Sequence, residues 1–269
     1  MYKVRSEFPA LSVLVLAAVV LFSVGCKKDD TPNRETEFDL MVQDVLGVTG
    51  KATFIETSKS STTIKIELFG SPDGSHPAEL RMNSAVEGGL VVVTLDPVVD
   101  NGSSSTKVTL MTYDELIAYD GFIRVAKSSS EPNVILAQGD IGGNVLTATK
   151  KTYTLSPMES FGVSGNALFE ERVNGNTLVT ITLIGTIAGE TYPASINLSS
   201  TSTIGGGPVV NILSSVNGTT GMSYTNIRQL DSGIQMTYGN WMEYDGHINV
   251  YQNSMTFPNI ICQGNIGSN

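Results

Sequence analysis

Along most of the chain, apolar and polar residues take turns. Ile64, Ile66 and Leu68 alternate with Thr63, Lys65 and Glu67, and Ala78, Leu80 and Met82 alternate with Glu79, Arg81 and Asn83. The same rhythm returns in Val179, Ile181 and Leu183, in Ala194, Ile196 and Leu198, and around Arg124 in Ile123 and Val125. A period of two sends successive side chains to opposite faces, so these segments read as half-buried antiparallel strands. Gly, Asn, Ser and Pro punctuate them. One segment breaks the rhythm. Thr112-Tyr113-Asp114-Glu115 fits a capping box, which predicts a short helical turn with Leu116 and Ile117 plugging the end of the fold.

The strand pattern is written twice. Gly50-Lys51-Ala52-Thr53-Phe54 is echoed by Gly165-Asn166-Ala167-Leu168-Phe169, about 115 residues later. Pro77-Ala78 returns as Pro193-Ala194, and Gly88-Gly89 as Gly206-Gly207. Met111-Thr112-Tyr113 returns as Met236-Thr237-Tyr238, Tyr119-Asp120-Gly121 as Tyr244-Asp245-Gly246, and Gln138-Gly139 as Gln263-Gly264. Order is kept and the offset only grows, as a duplication with loop insertions requires. Two units are expected, near 38–148 and 152–269, each with about eight strands and each large enough to bury a core. The expected class is all-β, with two tandem Greek-key β-sandwich domains and a short helical turn in the first. In the second copy Gly239 and Asn240 replace Asp114 and Glu115, so a looser turn is expected there.

The N-terminus reads as an address. Lys3 and Arg5 precede an apolar run from Ala10 to Val24 that ends at Gly25-Cys26. The run is short for a membrane span, which needs ~20 residues, and its layout is that of a secretory signal. Cys26 after Gly25 resembles the lipobox of bacterial lipoproteins, so residues 1–25 are expected to be a signal peptide and Cys26 the lipid attachment. Lys27, Lys28, Asp29 and Asp30 follow. Of these, Lys28, Asp29 and Asp30 resemble a surface-export signal of Gram-negative lipoproteins. Residues 26–37 are then a lipidated tether.

Composition narrows the chemistry. Sixteen Lys plus Arg against 26 Asp plus Glu give a net charge of −10, which repels phosphates and argues against nucleic acid. Ser plus Thr make up about one fifth of the chain, a mixture that favours strands and turns. The two histidines, His76 and His247, fall at different places in the two copies and read as lone surface imidazoles. Cys262 lies in a β-rich segment and reads as a small buried thiol. Asp96, Asp100, Asn101 and Gly102 form an acidic loop whose spacing matches no EF-hand, so a plain turn is expected. Asp120-Gly121 and Asp245-Gly246 read as turns that start a strand, the Asp bonding local amides and the Gly taking a positive φ. Trp241, Tyr244 and Tyr251 are the candidate binding patch, for a sugar or a protein, on an exposed edge; the competing reading has them packing on one another.

The string from Pro77 to Ser84, then Glu87 to Gly89, Thr112 to Ile123 and Ala137 to Gly142, resembles the CHRD (chordin-type) domain of bacterial lipoproteins. A fainter copy runs through Pro193, Ala194, Gly206, Gly207, Thr237, Tyr238, Tyr244 to Gly246, Ile248, Gln263, Gly264 and Ile266. The resemblance covers most of the chain after Cys26. It implies a sandwich related to copper-zinc superoxide dismutase, in the broad immunoglobulin-like class. Many bacterial members carry a His-x-His pair after Pro-Ala and a third His on a later strand. Here those places hold Glu79, Arg81 and Ala126 in the first copy and Ser195, Asn197 and Tyr251 in the second. Alternation puts all six on the polar face. Without imidazole there, metal binding and dismutase chemistry are not carried over, and no cofactor is expected. The expected role is non-catalytic: a lipid-anchored outer-membrane protein, displayed on the cell surface, with a binding or structural task. The expected partners are the membrane, through the lipid, and a protein or glycan. The alternative is a metal-dependent, dismutase-like enzyme or metal-binding protein.

Overall fold

A computed structural model describes residues 34–99, 102–158, 161–203, 207–252 and 259–269. The described residues belong to one compact unit. The first half carries β1 (Glu35–Val42), β2 (Thr49–Ser58), β3 (Ser61–Phe69), β4 (His76–Met82), β5 (Val91–Val98), β6 (Ser103–Val108), helix α1 (Tyr113–Ile117), β7 (Gly121–Ala126) and β8 (Ile135–Ile141). A 3-10 turn, Gly142–Asn144, leads into β9 (Leu146–Pro157), β10 (Ser164–Arg172), β11 (Thr177–Ile184), β12 (Thr191–Leu198), β13 (Val209–Asn217), β14 (Met222–Ile227), helix α2 (Tyr238–Met242), β15 (Asp245–Tyr251) and β16 (Ile260–Gly267). Among the described residues the fold is all-β with two short α-helices, and no helix there is long and apolar enough to cross a membrane.

Each half is one eight-stranded sheet, and the two have the same neighbours. The first runs β5-β4-β7-β8-β1-β2-β3-β6, and the second runs β13-β12-β15-β16-β9-β10-β11-β14 and closes on itself. All the strand pairs are antiparallel. The closing contact in the second half is a single pair, Asn217 with Met222. At the corresponding seam a threonine hydroxyl stands in for the ladder. The Asp96 N–H donates to Thr106 Oγ1 at 2.7 Å, and the Ser214 N–H donates to Thr225 Oγ1 at 2.9 Å. The strand edges there are occupied by the protein's own side chains, which blunts them against foreign strands.

Inward positions fill two cores. Leu40, Ala52, Phe54, Ile64, Ile66, Ala78, Leu80, Ile123 and Val125 pack in the first. Leu155, Ala167, Phe169, Val179, Ile181, Ala194, Ile196, Ile248 and Val250 pack in the second. Ile64, Ile66, Ala78, Leu80, Ile123, Val125, Val179, Ile181, Ala194 and Ile196 among them are positions that the alternation marks, and two marked positions differ. Met82 and Leu198, expected inside, are 42% and 40% exposed, because each ends its strand past a register shift and overruns the core.

Four other expectations change. Residues 35–37, expected in the tether, begin β1, which pairs at Glu35 with Ile55. The gap between the expected units, residues 149–151, lies inside β9, where Lys150 and Lys151 pair with Glu170 and Phe169. From Thr149 to Thr152 the strand is polar on both faces, so alternation does not mark this stretch. The second helical turn is not looser: Thr237 and Asn240 complete a capping box just as Thr112 and Glu115 do. The Asn240 carboxamide oxygen accepts the Thr237 N–H at 2.9 Å, the service that Glu115 performs at 2.8 Å. Gly121 and Gly246 do not take a positive φ. They are glycine because a Cβ would sit 2.6 Å from the Arg81 carbonyl oxygen in one copy and 2.9 Å from that of Asn197 in the other, under the rings of Tyr119 and Tyr244.

Candidate functional site

The outward faces of the central strand pairs are the places where the two copies differ in chemistry. In the first half Glu79 on β4 stands opposite Arg124 on β7. Arg81 Nε donates to Glu79 Oε2 at 2.7 Å, and Arg124 Nη1 lies 3.4 Å from the same oxygen. Arg81 also reaches the Gly89 carbonyl at 2.7 Å, and Arg124 that of Pro132. One carboxylate is thus held between two guanidiniums, each tied down at its far end. Ala126, the third place, is buried beside them and adds no polar atom.

In the second half the pairing brings Ser195 opposite Asn249 and Asn197 opposite His247, all on one outward face. Ser195 Oγ donates to Asn197 Oδ1 at 2.7 Å and lies 2.9 Å from the Tyr251 hydroxyl. Asn197 Nδ2 donates to the Gly207 carbonyl at 2.8 Å. The three separated sequence positions therefore converge, as hydroxyl, carboxamide and phenol. They lie on the side opposite Ala194 and Ile196, as alternation required, yet Ser195, Asn197 and Tyr251 are all buried. Period two assigns a face; it cannot say whether that face is wet.

His247 joins this cluster. Its Nδ1 donates to the Ser199 carbonyl at 2.6 Å, since a carbonyl can only accept, and its Nε2 then accepts from Asn249 Nδ2 at 3.2 Å. Asn249 Oδ1 is buried without a partner. His76 is buried too, its ring nitrogens 2.6 and 2.8 Å from the carbonyl oxygens of Lys127 and Pro72. Neither histidine is a surface imidazole: both are 2% exposed or less. Each sits at an end of a strand pair, where it satisfies loop carbonyls that the ladder leaves over.

The expected aromatic patch does not form on an exposed edge. Trp241 is fully buried, in the place that Leu116 fills in the first copy, and Tyr251 belongs to the polar cluster. Tyr244 is half-buried and packs on Trp241 with ring centroids 5.1 Å apart. The repeat alignment held this signal, because it pairs Trp241 with the core plug Leu116. Burial pushes the Tyr244 phenol up, with Asp245 adding to the effect. Cys262 is a buried free thiol, as expected, and burial pushes it up to about 12. Asp96 lies within β5 and not in a loop, while Gly102 turns at φ 71 and Asp100 and Asn101 lie outside the described residues. Asp245 accepts from the Asn269 side chain at 2.8 Å and so ties Asn269 back to the start of β15. Cys26, Lys28, Asp29 and Asp30 lie outside the described residues.

One arrangement went unread in the sequence. Arg172, at the end of β10, is 1% exposed and donates to Asp140 Oδ2 on β8 at 2.6 Å and to the Asn144 carbonyl. Asp140 Oδ1 accepts the Ala85 N–H at 2.6 Å. Around this pair Asn174 bonds Gly143 and Asn144, and Asn226 Nδ2 reaches Glu87 at 3.1 Å. The two sheets are therefore joined by an ion pair whose arginine is fully buried and by a ring of amide contacts.

Among the described residues no group of three or more His, Cys, Asp or Glu is placed to hold a metal ion. The trio of the second half adds no imidazole, thiolate or carboxylate to His247, whose two ring nitrogens are already bonded, and the carboxylate of the first is already shared by two arginines. No protein-family model matches the chain, and no curated protein or solved structure matches it.

Proposed function

We propose that this is a lipid-anchored envelope lipoprotein of the outer membrane. In this reading it carries two tandem CHRD-like, Greek-key sandwiches on the cell surface and serves a non-catalytic binding or structural role. The observation that carries the reading is the pair of outward-facing trios. Glu79, Arg81 and Ala126 and their counterparts Ser195, Asn197 and Tyr251 occupy matching strands, and they are internally satisfied in ways that leave little for chemistry. Catalysis asks for a nucleophile, base or metal that is exposed to a substrate. Here the polar groups are spent on one another. The shared strand order of the halves, with crossovers that skip neighbours, supports the Greek-key reading and its kinship to dismutase-type sandwiches. The Gly25-Cys26 lipobox and the Lys28-Asp29-Asp30 run support anchoring and display. Several acyl chains on Cys26, each contributing ~0.8 kcal/mol per buried methylene, would hold the chain on a membrane without a span.

The test is a membrane-impermeant cross-linker applied to intact cells, with Cys26→Ala as the comparison. The expected result is labelling of the wild-type chain on intact cells, joined to one reproducible partner or to itself, and release of Cys26→Ala from the membrane fraction. Labelling that appears only after lysis overturns surface display. Membrane retention of Cys26→Ala overturns the lipid anchor. A stoichiometric transition metal in the purified protein, with redox activity, would favour the dismutase-like alternative.

A further inference from the structure

A groove of about 540 Å³ opens where the two sheets meet, between the outward ends of β1 and β8, the turn after β4 and strand β14. Its volume lies within the ~300–1,000 Å³ typical of small-ligand sites. The walls mix two kinds of group. Met41, Val86 and Tyr224 are apolar and unusually open, at 61%, 40% and 44% exposure. Between them lies a pair of amides, one on β8 and one just past the end of β1, Gln138 Nε2 donating to Gln43 Oε1 at 3.2 Å. Asp140 brings a carboxylate, but its charge is met by Arg172 at 2.6 Å and its other oxygen is taken by the Ala85 N–H. The groove is thus close to neutral inside a chain of net charge −10.

From this we infer that the groove between the sheets binds a neutral saccharide. Carboxamides both donate and accept, which is what a pair of neighbouring sugar hydroxyls requires. An exposed tyrosine ring offers a flat apolar face to the C–H side of a pyranose and a polar tip to its hydroxyls. The strongly acidic chain disfavours anionic ligands, and the compensated Asp140 gives a cation no unpaired partner. The groove draws on both halves, since Tyr224 comes from the second sheet and the amide pair from the first, so the site exists only when the two are docked. This assigns a ligand class to the binding role proposed above and rests on that reading only in taking binding as the task.

The probe is a printed array of neutral oligosaccharides (glucans, mannans, galactans and N-acetylglucosamine oligomers) incubated with the detergent-purified full chain. The best-retained sugar is then titrated by calorimetry. Expected is retention of at least one neutral sugar. Tyr224→Ala and Gln138→Ala should each weaken it roughly tenfold, and Tyr224→Phe, which keeps the ring, should stay within about twofold. Tyr224 is exposed and Gln138 partly so, and each of the three variants is checked for the wild-type circular dichroism spectrum. Retention of no neutral sugar overturns the inference, as does binding that Tyr224→Ala leaves unchanged. Either failure is separate from the fate of surface display, which the cross-linking reads on its own.

Discussion

Asp140 and Asn265 occupy the same place in the two copies and show how one residue sets what a site can do. Asn265 Oδ1 accepts the Thr201 N–H at 2.8 Å, as Asp140 Oδ1 accepts that of Ala85. An amide suffices for that turn. The carboxylate's second oxygen is what lets Asp140 hold Arg172, whose Nε and Nη2 are buried with no partner of their own. Removing one member of a buried pair leaves the other charged and dry, which costs about 3–5 kcal/mol. Asp140→Asn should therefore keep the turn at Ala85 and still lose about 3 kcal/mol, the low end because Asp140 is partly exposed. The double variant Asp140→Asn, Arg172→Met should recover most of that loss, because no buried charge is stranded. Urea midpoints of the three chains decide it, and equal destabilisation of the single and the double would count against the ion pair as the cause.

At the scale of elements, α1 and α2 are the same capped turn made with different chemistry. The backbone N–H and hydroxyl of Thr112 hold the Glu115 carboxyl below its ordinary value of 4.5. Arg34, hydrogen-bonded to both Glu56 and Asp114, holds those two below 4.5 and 3.8 and lies over the Tyr113 ring at 4.6 Å. A carboxyl depressed in the folded state stabilises it above the ordinary value, and that contribution fades as pH falls through the lower folded value. Three such groups converge on α1. At α2 the cap is Asn240, which does not titrate. Acidification from roughly pH 5 to 2 should therefore loosen α1 and leave the α2 cap in place. The measurement is hydrogen exchange, corrected for intrinsic pH dependence, at the Leu116 and Trp241 amides, which bond the Thr112 and Thr237 carbonyls at 3.0 and 3.1 Å. Parallel loss of protection at both would rule out the carboxyl caps as the cause. The existence of α1 was legible in Thr112 and Glu115. That of α2 was obscured by Gly239, whose weak propensity was outweighed by the intact box and by Trp241 in the core.

For the molecule as a whole, among the described residues no strand is shared between the two sheets, which are fastened at their junction. Only Val145 separates the 3-10 turn from β9, and Val173 N–H returns to the Val145 carbonyl at 2.9 Å. Cys262 offers a reporter on the second core. It is fully buried on β16 and burial pushes its thiol up to about 12, so at pH 8 it is protonated and out of reach. In a Cys26→Ser chain, thiol labelling at pH 8 should be undetectable in the native state and should rise only along the cooperative unfolding transition. Fast labelling without denaturant would show local opening of β15 and β16.

The all-β class, many inward residues and the two sheets of matching strand order were readable because a half-buried strand must alternate and a repeated pattern places its strands twice. The two trios were picked out by the CHRD resemblance, and alternation gave their face, since a residue next to a core residue on a strand points the opposite way. The sequence could not tell that the outer face around Ser195, Asn197 and His247 is buried, because dryness depends on what packs above it and not on local pattern. Nor could it tell that Trp241 faces inward, since an aromatic residue after a cap suits either a plug or a patch. The Arg172–Asp140 pair and the groove beside it join residues from different copies, and periodicity within one copy carries no information about partners in the other. Tertiary structure alone decided these, by setting which strand ends meet and which charges must then be neutralised away from water.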